Sequence, residues 1–145
     1  MRDLPRQLST EQLAELFEGE TPLVKRLAEV EDPLERAAEV IAALSEEEKL
    51  QALNAHPAIG AKRLSPRSAQ EQGSDSDPAI LSELAYLNQV YEEKFGFRFV
   101  VFVAGRPKRE VLQVLSERIG RTREEELETG LAELVVIARD RWTRI

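Results

Sequence analysis

The sequence predicts an all-α chain: a single-domain helical bundle over residues 1–145 with one short extended segment near residues 97–103. Three observations carry this. Apolar residues recur at helical spacing through most of the chain. Cap residues stand at the heads of those stripes. Only Phe97-Arg98-Phe99-Val100-Val101-Phe102-Val103 alternates aromatic and β-branched residues as a strand does, and no second convincing strand exists to pair with it.

Taken in order, Ser9 with Gln12 reads as a capping box ahead of Leu13, Leu16 and Phe17. Thr21-Pro22 and Asp32-Pro33 each place a cap residue before proline at a first helical position. Leu34, Ala37, Ala38, Ile41 and Leu44 then form one apolar stripe. Ser45 with Glu48 opens a helix through Leu50 and Leu53, which Pro57 ends at about Ala55, because a proline ring pushes the residue before it out of the α region. From Gly60 to Asp77 the composition turns polar, and Gly73-Ser74-Asp75-Ser76-Asp77 reads as a loop. Asp77-Pro78 begins a long helix with Leu81, Leu84, Asn88, Tyr91 and Phe95 inward, ended by Gly96. Lys108 to Ile119 is amphipathic, closed by Gly120. Thr122 with Glu125 caps a last helix carrying Leu127, Leu131, Leu134, Ala138 and Arg141 on one line.

Composition narrows the chemistry. A chain of 145 residues suits one domain, and one of that size buries about 68–70% of its unfolded surface. No cysteine is present, which excludes disulfides, thiolate nucleophiles and cysteine zinc sites. A single histidine excludes zinc sites built on two or three. The net charge of −7 argues against a nucleic-acid partner, which needs a basic stripe. No apolar run is long enough to span a membrane, and the N-terminus lacks the apolar stretch of a signal peptide, so a cytoplasmic protein is the expectation.

The lone imidazole stands in His56-Pro57-Ala58-Ile59-Gly60. Histidine gives and takes protons near neutral pH, and a stiff, terminated segment is a fit place for a catalytic one. The plain structural reading is a helix-ending turn with a solvated ring. Ser68 and Glu71 lie three apart and share a helical face, which a simple cap explains equally well. The strand-like segment has no sheet, so its backbone groups must find helix ends, side chains or a ligand. That makes it a candidate pocket wall or a buried connector. Arg141, in line with the apolar stripe, either snorkels outward or points in and needs an anion. Arg139, about 200° around the helix, is the runner-up.

Together these pieces resemble the 2-oxo-4-hydroxy-4-carboxy-5-ureidoimidazoline (OHCU) decarboxylase family of urate breakdown. The matching residues are His56-Pro57-Ala58-Ile59-Gly60, Ser68, Glu71-Gln72, Leu87-Asn88, Tyr91, Phe95-Gly96-Phe97, Phe99, Glu117-Arg118 and Glu133 to Arg141, in the family's order. The N-terminal helices match only in general character. Departures are a shorter link from Gly60 to Ser68, Arg98 in place of a proline, and Arg121 where asparagine is common.

The resemblance implies a cofactor-independent decarboxylase that forms (S)-allantoin and CO2, with no metal and a homodimeric assembly. It implies His56 and Glu71 as the catalytic pair. Pro57, Ser68, Gln72 and the Phe99, Val100 and Val101 backbone would contact substrate, and Arg141 would hold the anion. No cofactor is needed because the substrate ring itself takes up the electron pair left by CO2. Two rivals stand beside this reading: a non-catalytic helical interaction module, and a related enzyme acting on another ureido-ring substrate.

Overall fold

Three of the helices begin with the same reciprocal exchange. The Ser9 hydroxyl accepts from the Gln12 amide at 3.1 Å while the Gln12 side chain accepts from the Ser9 amide at 2.9 Å. Ser45 with Glu48 repeats it at 3.2 and 2.9 Å, and Thr122 with Glu125 at 3.1 and 3.1 Å. Each exchange satisfies two amides that a helix start leaves without intrahelical partners.

The computed structural model describes residues 3–58 and 77–144. It is all-α, with no strand among the described residues. The helices there are α1 (Thr10–Phe17), α2 (Pro22–Leu27), α3 (Ala37–Ala42), α4 (Glu46–Asn54), α5 (Pro78–Phe95), α6 (Lys108–Ile119) and α7 (Arg123–Thr143). None of them is long and apolar enough to cross a membrane.

One helix start differs from expectation. Asp32-Pro33 does not open α3, which begins at Ala37 behind Arg36 with no side-chain cap. Asp32 instead takes a left-handed φ of 52°, and its amide donates to the Arg6 carbonyl at 2.8 Å. Its own carbonyl accepts from the amides of Glu35 and Arg36, closing a separate turn. Ala38 consequently faces solvent, outside the buried stripe of Leu34, Ala37, Ile41 and Leu44.

The chain divides into two compact units. The first comprises Met1–His56 with Leu131–Ile145, the second Pro57–Gly130, so α7 contributes to both. In the first, α2 packs on α1, α3 and α4. Leu13, Leu16, Leu23, Leu27 and Leu53 are wholly or almost wholly removed from water there.

In the second unit, α5 packs on α6. Gly96 takes a left-handed φ of 83°, which ends α5 and turns the chain into the segment that follows. Residues 98–103 are neither helix nor strand. Tyr91 anchors them, its ring 4.6 Å from Phe95, 5.3 Å from Phe99 and 6.0 Å from Phe97. Its hydroxyl donates to Glu126 at 2.7 Å, and Glu126 is fully buried. Burial, reinforced by the bond to Glu126, pushes the Tyr91 phenol well above its usual range, so it stays a donor. Tyr91→Phe removes a hydrogen bond to a buried charge, and we expect a loss of about 1.5–3 kcal/mol in urea unfolding. A change below a few tenths would mean that Glu126 is satisfied without it.

Candidate active site

Helix α4 ends where Pro57 requires. Ala55 is its C-cap, and the His56 amide donates to the Leu53 carbonyl at 3.2 Å. The imidazole does not stand in solvent: His56 is 5% exposed. Burial lowers its pKa most, and the Arg141 guanidinium lowers it further. The Glu18 carboxylate pulls the other way, and the balance brings the ring from 6.5 to about 4. At neutral pH the ring is therefore uncharged and accepts a proton before it can give one.

This depression has a stability consequence. Between pH 6.5 and 4 the unfolded chain binds a proton at His56 that the folded chain refuses. The contribution is complete above 6.5 and is lost as pH falls toward 4. We expect the urea stability of the wild type to fall by up to about 3 kcal/mol more over that window than that of His56→Asn. Parallel profiles for the two proteins would contradict the buried neutral imidazole.

Arg141 points inward, 2% exposed. Its Nη1 donates to the Leu16 carbonyl at 3.2 Å and the Glu15 carbonyl at 3.3 Å, at the negative end of the α1 dipole. Its Nη2 lies 3.1 Å from Glu18 Oε1. Arg139 takes the other course: it is exposed, and its Nε and Nη2 both donate to the Leu34 carbonyl, at 3.1 and 2.8 Å.

Glu18 has no counterpart in the sequence reading. It follows α1 in the left-handed region, φ 65° and ψ 31°, a conformation costing a non-glycine residue about 1–2 kcal/mol. Gly19 follows immediately, so the sequence had a glycine at hand for this turn and placed it one residue later. The usable signal was an acidic residue where a helix end favours glycine.

The second unit holds the other described candidates. Phe99, Val100 and Val101 are buried, and Pro57 is half-buried. Three carbonyls of residues 100–103 accept from arginines. Arg118 Nη1 donates to Val100 O at 2.8 Å; Arg106 donates to Phe102 O at 2.7 Å and Val103 O at 2.9 Å. Arg118 also stacks 4.6 Å over the Phe99 ring and donates to Glu126 at 2.7 Å. The departure at Arg121 is absorbed here, its Nη1 reaching Glu126 Oε2 at 2.8 Å and the Thr129 hydroxyl at 3.0 Å. Arg98 pairs loosely at the surface with Glu92, at 3.9 Å.

His56 and Arg141 thus share the first unit, within electrostatic reach of each other and of Glu18. Ser68, Glu71 and Gln72 lie outside the described residues. Glu126 escaped the sequence reading because Glu124-Glu125-Glu126 looks like an ordinary solvated first turn.

Residues 2–143 match the sequence model of the family described as OHCU decarboxylase. Among curated relatives, the uric acid degradation bifunctional protein PucL of Bacillus subtilis is 28% identical, over 97% of this chain and 31% of its own length. The 2-oxo-4-hydroxy-4-carboxy-5-ureidoimidazoline decarboxylase of Halalkalicoccus jeotgali is 33% identical, over 74% of this chain and 64% of its own. The chain thus spans less than two thirds of each. A crystal structure described as OHCU decarboxylase in the presence of (S)-allantoin superposes with a TM-score of 0.77 at 24% identity, over 92% of this chain and 96% of that one, and so shares the fold.

Proposed function

The chain belongs to the OHCU decarboxylase family, and from that premise we propose that it converts 2-oxo-4-hydroxy-4-carboxy-5-ureidoimidazoline to (S)-allantoin and CO2. The observation that carries the reading is the burial of the chain's only imidazole, uncharged, in the field of a buried arginine.

The substrate's name places carboxylate and hydroxyl on C4 and the ureido group on C5. When the C4–carboxyl bond breaks, its electron pair forms C4=C5, and the ring C=N pair moves onto nitrogen, which takes one proton from water. The resulting enol loses its hydroxyl proton, C4 becomes a carbonyl, and C5 gains a proton on one face. One proton is taken up overall and one is moved from oxygen to carbon. No external electron sink is required.

His56, neutral at pH 7, accepts the hydroxyl proton. Its imidazolium is disfavoured by burial and by Arg141, so it is a ready donor in the next step. Glu71 is its partner in delivery to C5, a role that rests on the family resemblance. Arg141 holds the carboxylate and then the charge that develops on the ring. Ser68, Gln72, Pro57 and the Phe99–Val101 backbone orient the ring, the Val100 carbonyl being held in place by Arg118. The same resemblance extends the proposal to a homodimer, and the lack of an apolar run long enough to span a membrane supports proposing a cytoplasmic location.

Substrate generated in place by enzymatic oxidation and ring opening of urate provides the test, its ultraviolet absorbance followed with and without protein. Accelerated decay is expected, with allantoin offered alone left unchanged. Turnover of another ureido-ring compound, and none of this one, would favour the related-enzyme reading.

A further inference from the structure

Arg141 is buried, and a buried cation must be compensated. The end of α1 supplies compensation. Two carbonyls, of Glu15 and Leu16, accept from Nη1, and the Glu18 carboxylate meets Nη2. A guanidinium is planar with its donors in a fixed fork, so contacts on both terminal nitrogens set the plane as well as the position. Glu18 reaches Nη2 from a left-handed backbone that few non-glycine residues adopt, and its side chain is 13% exposed. Strain of this kind persists where the surroundings over-determine it, often at functional sites.

We infer that Glu18 is a positioning residue for decarboxylation, whose carboxylate holds the Arg141 guanidinium in its working orientation between turnovers. This rests on the decarboxylase reading and adds to it a residue that makes no contact with the reacting atoms. As charge passes from the departing carboxylate to the ring, the cation must already face the place where it develops. Without the carboxylate on Nη2 the fork is held less firmly in its plane, and small misplacements of such a group are costly. Glu18 also offsets part of the arginine's charge, so the resting site does not hold substrate carboxylate too tightly. The same carboxylate opposes the effect of Arg141 on His56.

Glu18→Gln keeps the side chain's length and the backbone strain and removes only the charge. Glu18→Asp keeps the charge on a shorter arm. With rates divided by the folded fraction from circular dichroism, we expect kcat of Glu18→Gln to fall about tenfold, with KM unchanged or lower. Glu18→Asp should recover part of the loss. A merely structural role would lower the folded fraction and leave kcat per folded molecule intact. The inference is overturned if kcat of Glu18→Gln stays within about twofold of wild type after that correction, or if KM rises in step with the loss in kcat/KM. A wild type that does not decarboxylate the substrate overturns the decarboxylase reading itself, and this inference with it. An active wild type beside an unaltered Glu18→Gln overturns the role of Glu18 alone.

Discussion

His56→Ala lowers turnover by at least about a hundredfold and leaves the helical circular-dichroism spectrum intact. The magnitude is that of one positioned proton carrier, about 10²–10⁴ in rate. No other imidazole can replace it, because the chain has only one. The fold should tolerate the change. His56 follows the C-cap of α4, and the backbone bond that ends the helix there, His56 amide to Leu53 carbonyl, survives a side-chain truncation. The variant also sheds a group that resists protonation when buried, so its stability should hold up better than the wild type's in mild acid. Turnover near the wild-type rate would remove His56 from the mechanism.

Arg141→Met lowers kcat/KM by about 10²–10³, the usual cost of losing one preorganised partner for developing charge. Its second effect is on the fold. The change leaves Glu18 and the last carbonyls of α1 without the donors they now have, and breaking a buried pair costs about 3–5 kcal/mol. That is a large part of a typical domain's total, about 5–15 kcal/mol, so activity must be read per folded molecule. Arg141→Lys separates the two effects. It keeps the charge and loses the fork, so it should fold and still fall well short of wild type. Arg139→Lys should do little, since among the described residues that exposed side chain bonds to the Leu34 carbonyl. A folded Arg141→Met with undiminished kcat/KM would contradict the anion-holding role.

The features readable in the sequence were those set by local chemistry. The caps at Ser9, Thr21, Ser45, Asp77 and Thr122 formed as expected, because each needs only residues two to three positions away. Gly96 ended α5 for the same reason. The start placed at Asp32-Pro33 failed because a bond to the Arg6 carbonyl, remote in sequence, holds Asp32 in a left-handed turn.

In the site, helical periodicity put Arg141 in line with the apolar stripe and left open whether it snorkelled outward or pointed in; it is buried. Its companion in the first unit, Glu18, was missed, since an acid between Phe17 and Gly19 at a helix end also looks like surface. The same holds for Glu126, whose partners Tyr91 and Arg118 come from two other helices. Buried ion pairs between remote residues leave no periodic trace; only packing shows them.

The handedness of the product bears most directly on whether this chain is the decarboxylase proposed. Urate is mixed with a urate-oxidising enzyme, with and without the protein, and optical rotation is followed. Undirected decay protonates C5 from both faces and yields racemic allantoin, whereas an enzyme that protonates one face builds up (S)-allantoin. Rotation should appear at a rate proportional to protein and be slowed at least about a hundredfold in His56→Ala. Rotation no different from the protein-free mixture, with the wild-type protein folded, would contradict the decarboxylase reading.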